Sequence, residues 1–259
     1  MDAVILAGSV PSQEDPLYFY THGQAKAMID VAGKPMVQWI LDALGGATSI
    51  DSVLIIGLNS DCNLTCDKPL HFIADQGDLL QNAKAGLQHT RARNPDARHA
   101  LFTSSDIPTV TSEMIDWRVE ETRKQEQDIH FTVVERHTME ARFPGSNRSY
   151  VKFKDYELCG GDLHFARPAL VEEDQIWARL IAARKNAFKQ AALLGFDLLL
   201  LLLMGQMTLK EAERRVCKRL NVNGRACISP YAELAMDVDK PHQLEIVRQE
   251  LSTKRIPAT

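Results

Sequence analysis

Short, almost continuously apolar runs alternate with amphipathic stretches through the first half of the chain. Residues 2–7 (DAVILA), 52–57 (SVLIIG), 70–74, 99–104 and 129–135 (IHFTVVE) are of strand length. Between them, 36–44, 78–90 and 111–126 place apolar residues at helical spacing. Buried strands separated by helices predict a mainly parallel sheet covered on both faces, a three-layer Rossmann-like α/β architecture with right-handed crossovers. The pattern changes near residue 140. Segment 141–166 is rich in Gly, Tyr and charge and predicts short strands at 149–154 and 157–165. Residues 168–220 read as almost wholly helical, and Thr208 with Glu211 has capping-box spacing. A strand is expected at 225–230. The chain then closes with AMDVDKPHQLEIVRQEL, read as a short strand, a Pro at a helix start and a final amphipathic helix.

The chain has 259 residues, 45% hydrophobic and 25% charged, enough for one large core. We therefore expect a single domain over 1–259 with a helical insertion at about 168–224. A net charge of −4 supplies no global basic field for nucleic acid. The N-terminus has neither a charged leader nor a cleavage-site pattern, and the five Cys fit a reducing compartment, so a cytoplasmic protein is expected. Cys62, Cys66 and His71 lie close together, but no second pair at zinc-site spacing follows. Leu198–Leu203 is a run of six leucines beside Asp197. It is too short for a bilayer that needs ~20 residues. A helix buried in the insertion is the expected reading; a homodimer face or a surface for a lipid-linked substrate are the alternatives.

Two strand ends and one loop carry the candidate chemistry. The first strand runs through Leu6 and Ala7 into Gly8 and Ser9, and Lys26 follows across a long loop. Loop amides after a rigid strand can approach phosphate oxygens, and a Lys adds positive charge. The fourth long strand ends in TSSDIP, placing Asp106 where open α/β sheets bind ligands. Alone, an Asp before Ile-Pro is a common cap. Asp237 and Asp239 lie far away in MDVDKP, and strand alternation would put both on one face, aimed at one cation. Carboxylates brought together from distant segments suit Mg²⁺, a hard ion that takes carboxylate and phosphate oxygens.

AVILAG, KAMIDVAGKPMVQWILDAL, TSSDIP and DVDKPHQLEIV, in that order, resemble the MobA-like nucleotidyltransferases of glycosyltransferase-A type fold. The resemblance covers roughly 1–140 and 225–252. It implies a Mg²⁺-dependent transfer of a nucleoside monophosphate from an NTP to a phosphorylated small-molecule acceptor, with release of pyrophosphate. Leu6, Ala7, Gly8 and Ser9 match the nucleotide loop and Lys26 the phosphate-neutralising lysine. Gln76, Gly77 and Asn82 match the base and ribose contacts. Asp106 and Asp239 match the metal positions, with Asp237 a neighbouring alternative. Gly33, Lys34 and Pro35 match the block that opens the first long helix, where Lys34 is expected at the surface. The chain departs from the family at Ser9, where a second Gly or an Arg is usual, and no Arg or Lys occurs before Lys26. His22 is one candidate for the missing charge. A sugar transferase of the same fold would carry Asp-x-Asp where this chain has Ser104-Ser105-Asp106, and a nucleotide-binding non-enzyme is the third reading.

Overall fold

The computed structural model describes residues 1–177, 201 and 204–253. Its first strand, β1 (Asp2–Leu6), lies between two parallel neighbours and organises the sheet. A short ribbon, β2 (Asp30–Val31) and β3 (Lys34–Pro35), leads into α2 (Met36–Gly46), following a one-turn helix α1 (Tyr18–Thr21). Then come β4 (Ser52–Ile56), β5 (Leu70–Ile73), α3 (Leu79–Arg93), β6 (Ala100–Ser104), α4 (Ser112–Arg123) and β7 (Ile129–Glu135). Spatially, β5, β4, β1 and β6 run parallel in that order. The order reverses at β1, so its carboxyl end and that of β6 open on a crevice.

Alternation along β1 explains the layers. Ala3 and Ile5 face one side with Ile40, Leu41 and Leu44 of α2 and Ile115 and Val119 of α4. Val4 faces the other with Leu54, Phe102 and Leu87 of α3. Each face excludes water, so the strands must be apolar throughout, as the sequence has them.

Beyond β6 the sheet becomes mixed. After β7 the chain forms α5 (Arg136–Arg142), β8 (Val151–Lys152), β9 (Glu157–Gly160) and β10 (Leu163–Ala166). β10 is antiparallel to both β6 and β7, while β9 pairs with the far end of β7. Between them, Gly161 and Asp162 form a bulge that re-aims the strand. A Cβ on Gly161 would lie 2.8 Å from the Leu234 carbonyl oxygen, so only glycine fits there. The last helices are α6 (Leu209–Leu220), with the expected capping box of Thr208 and Glu211, and α7 (Pro241–Thr253); between them β11 (Gly224–Ser229) runs parallel to β7.

Three local expectations are corrected. AMDVD is not a strand: a 3₁₀ turn, Ala232–Ala235, precedes an irregular extended stretch, because the Val238 N–H goes to Asp106 O (3.0 Å) instead of a ladder. The expected strand at 157–165 is split by the bulge. Pro168–Glu172 is 3₁₀ rather than α-helical, and α5 was not expected at all. The helical reading of 178–200 and the leucine run, Leu201 excepted, lie outside the described residues. Among the described residues no helix is long and apolar enough to cross a membrane.

Two features of this frame are testable. Gly57 follows β4 with φ +101°, and a Cβ there would sit 2.2 Å from Gly8 Cα. Gly57→Ala must therefore strain the backbone and push β1 away from β4 at once. It should lower stability by at least ~2 kcal/mol in urea titration, with a distorted Gly8 loop. The second concerns His130 and His164, both pushed down to about 4. Burial is the main cause for each; His99 and Arg118 add to it for His130, and Arg118 for His164. Both pKa values are depressed on folding, so their contribution is present above the unfolded value near ~6.5 and is lost as pH falls from there towards 4. Each should remove on the order of 1 kcal/mol per pH unit across that window. His130→Gln should flatten that slope in denaturation curves between pH 7 and 4.

Candidate active site

Gly8 lies two residues past the end of β1, where it touches the turn after β4. The Ala7 N–H donates to Ile56 O (2.8 Å), and a Cβ on Gly8 would meet the Asp75 carboxylate at 2.7 Å. The chain then leaves in the long loop containing α1 and returns at Lys26, whose N–H donates to Ser9 O (2.9 Å). Ser9 and Lys26, distant in sequence, are thus locked side by side. His22 takes a left-handed conformation with its ring near Phe19 (6.1 Å between centroids).

A cavity of ≈ 370 Å³ opens beside this loop. Leu6, Gly8, Ser9, Gly77 and Asn82 all line it, together with Asp75 and Asp78. Asn82 is buried and acts as a brace: its Oδ1 accepts from the Gln76 N–H (2.7 Å) and its Nδ2 donates to Asp75 Oδ1 (2.7 Å). Gln76 itself turns back to Ala74 O, and Ala7 is wholly buried. Asp78 caps α3 by accepting from the Gln81 N–H (2.9 Å).

Lys26 carries the charge at the centre. Its ammonium donates to Asp106 Oδ2 (2.5 Å) and Asp239 Oδ1 (2.6 Å). Two carboxylates from opposite ends of the chain therefore contact one nitrogen. The Lys26 side chain is 11% exposed, Asp106 15% and Asp239 55%, so the cluster is closed on the Asp106 side and open at Asp239. Burial alone would lower the Lys26 pKa, but Asp106 and then Asp239 outweigh it, and the value is raised. Asp106 is not a helix cap; Thr111 precedes α4, and the second oxygen of Asp106, Oδ1, is buried with no hydrogen-bond partner.

The structure separates Asp237 from Asp239. Without a strand there, Asp237 turns away to form a close ion pair with Arg148. Lys34 pairs with Asp42 and lies over the Trp39 ring (3.8 Å), holding the start of α2. Cys62 and Cys66 donate to Asn59 and to Leu41 O, and no group of three metal-ligating side chains occurs among the described residues.

Two residues of this cluster escaped sequence reading. Arg148 comes from an irregular loop, where one Arg among polar residues gives no signal. Asp162 sits in the β9–β10 bulge, and the Gly160-Gly161-Asp162 triplet interrupting an apolar run was the available clue. Its carboxyl is pushed up to about 7, first by burial, then by the charge of Asp106, against the opposing pull of Arg148.

Comparison with known proteins gives the family and the fold. A family model described as MobA-like NTP transferase domain matches residues 3–191. The chain belongs to this family. A solved hypothetical transferase from Thermus thermophilus is 30% identical, covering 94% of this chain and 98% of its own, with a TM-score of 0.78. Two more distant structures share the fold at 12% identity. One is CMP:2-keto-3-deoxy-manno-octonic acid synthetase complexed with CTP, with a TM-score of 0.60 over 98% of this chain and 99% of that one. The other is 4-diphosphocytidyl-2C-methyl-D-erythritol synthase from Anaerococcus prevotii, with a TM-score of 0.57 over 96% and 95%. A comparison with curated proteins gave no match. This family member thus has the α/β fold with a mostly parallel sheet that the resemblance implied.

Removing Lys26 tests the electrostatic frame directly. Asp162 has a pKa raised on folding, so its contribution is full below the unfolded value near ~3.9 and is lost as pH rises through about 7. In Lys26→Ala the carboxylates lose their shared cation and repel more strongly. The deficit in urea midpoint relative to wild type should therefore grow from pH 5 to pH 8. A deficit that does not change with pH would contradict this account.

Proposed function

We propose that this chain is a Mg²⁺-dependent nucleotidyltransferase that transfers a nucleoside monophosphate from an NTP to a phosphorylated small-molecule acceptor and releases pyrophosphate. The observation that carries the reading is the Lys26 ammonium held between Asp106 and Asp239, next to a loop that is exposed at Ser9. The donor set suits a hard divalent ion: two carboxylates converge on one point, and the buried Asp106 Oδ1 has no protein partner. Asp106 and Asp239 would hold Mg²⁺, which supplies positive charge against the triphosphate and the leaving pyrophosphate.

The chain's own groups do the rest by position. Ser9 presents a backbone N–H and a hydroxyl at the open end of the Gly8 turn. Gly57 and Gly8, packed without side chains, let that backbone lie close to a ligand. Asn82 fixes the 75–77 turn, so the wall of the cavity facing base and ribose is preformed. Lys26, kept charged by Asp106 and Asp239, neutralises phosphate oxygens in ground and transition states alike. In-line attack by an acceptor phosphate oxygen on the α-phosphate needs no protein nucleophile, so rigid placement of these groups is the main contribution of the fold.

Thermal shift with CTP, GTP, UTP and ATP, each with Mg²⁺, should show stabilisation by at least one nucleotide, because a ligand bound only to the native state raises apparent stability. Asp106→Asn should keep the far-UV spectrum and lose the Mg²⁺-dependent part of that shift. With a panel of phosphosugars and sugar acids as acceptors, its pyrophosphate release should fall at least ~100-fold. Lys26→Ala should raise KM for the nucleotide and lower kcat together. An unchanged Mg²⁺ response in Asp106→Asn would remove the metal assignment.

A further inference from the structure

A cavity of ≈ 630 Å³ shares no residue with the candidate active site. It lies between α4 and α6, beside β11 at the opposite edge of the sheet from β5. Its size falls in the ~300–1,000 Å³ range of small-molecule pockets. Arg118 of α4 lines it and is wholly buried. The guanidinium is held in place on three sides: Nε donates to Thr132 Oγ1 (2.8 Å), Nη1 donates to Thr122 Oγ1 (2.6 Å), and the plane lies over the Phe165 ring (4.8 Å). Nη2 is buried with no partner. No carboxylate pairs with Arg118 among the described residues. A buried guanidinium without a counter-anion is costly, and burial indeed lowers its pKa.

The cavity's own acids do not fill that role. The Asp155 carboxylate accepts from the Leu209 N–H (3.0 Å), Glu213 from the Ala226 N–H (2.6 Å), and Glu121 from Lys124 (2.5 Å). Lys210 and Arg225, also on the wall, have no ion-pair partner among the described residues. Gln125 and Gln127 each leave a buried carboxamide oxygen without a hydrogen bond. The wall therefore holds three cations without a direct ion pair, alongside three carboxylates engaged elsewhere, and two acceptors lacking a donor.

We propose that this cavity is a second binding site, for a small hydroxylated molecule bearing an oxyanion, a phosphate or a carboxylate. Arg118, with Lys210 and Arg225, takes the oxyanion, and the Gln125 and Gln127 side chains accept from hydroxyl groups. Guanidinium geometry favours oxyanions over halides, which gives the site its selectivity.

Inorganic phosphate is the minimal probe, and malonate the carboxylate counterpart, in thermal-shift titration at constant ionic strength against chloride. Phosphate can also enter the catalytic cleft, so Lys26→Ala serves as the control for that route. Wild type and Lys26→Ala should both show a saturable rise in Tm with phosphate or malonate. Lys210→Ala combined with Arg225→Ala should weaken apparent affinity at least tenfold, and Arg118→Met should abolish the response. If Arg118→Met does not fold, the double variant alone decides. No saturable rise with either anion would overturn the proposal. So would a rise lost in Lys26→Ala, one untouched by the double variant, or one retained by folded Arg118→Met.

Discussion

One ammonium ties the two ends of this chain together. Lys26 is bonded to Asp106, 80 residues away, and to Asp239, 213 residues away. Each partner reaches it from a different element: Asp106 from the turn after β6, Asp239 from the stretch before α7. The Val238 N–H bond to Asp106 O splices the same two segments through their backbones. A charge pair this buried is a weak source of stability, because desolvation cancels much of the attraction. Its consequence is positional: taking away one partner leaves the others unbalanced, so the three side chains keep one arrangement.

The parallel half of the sheet was legible because its cause is local. β1, β4 and β6 are covered on both faces, and that requirement writes itself into consecutive apolar residues such as Val53–Ile56. β7 was found residue for residue. The mixed half was not legible to the same degree. β9 and β10 read as one strand-length segment in sequence, and the Asp162 N–H bond to Leu234 O (2.8 Å) splits them at the Gly160-Gly161-Asp162 triplet. The AMDVD segment alternates like a strand, yet its N–H groups go to Glu233 O, Asp106 O and Gln243 Oε1 rather than to a neighbouring strand. α5 is a polar heptapeptide that becomes helical by packing Met139 against the buried cluster around Val134 and Phe143. Tertiary context overrides a short sequence signal in each of these cases.

The site divides along the same line. Residues at strand ends and in the glycine loop were recognisable because topology fixes where those ends lie. Leu6, Gly8, Ser9, Gly77 and Asn82 accordingly meet at one cavity, and Lys26, Asp106 and Asp239 meet beside it. Asp237 was placed by strand alternation, and it moved to Arg148 once the strand was lost. Arg148 and Asp162 depend on a loop and a bulge, whose directions no periodicity encodes.

Charge balance then links the missing loop arginine to the proposed chemistry. Around Lys26 stand Asp106, Asp239 and Asp162, and beyond them Asp237 is matched by Arg148. Lys26 is therefore outnumbered by the carboxylates it touches or faces. The adjoining cavity adds Asp75 and Asp78 and no Lys or Arg. An NTP carries several negative charges, and at ~4 Å like charges repel by about 1 kcal/mol even in bulk water, and by several times more near a protein surface. From Met1 to Ala25 no Arg or Lys side chain is present to offset that repulsion. Under the proposed reaction, the acidic wall makes affinity for the triphosphate depend steeply on a divalent cation. Under that reaction the same wall would disfavour uncomplexed nucleotide, and the cation would be a condition of entry as well as of chemistry.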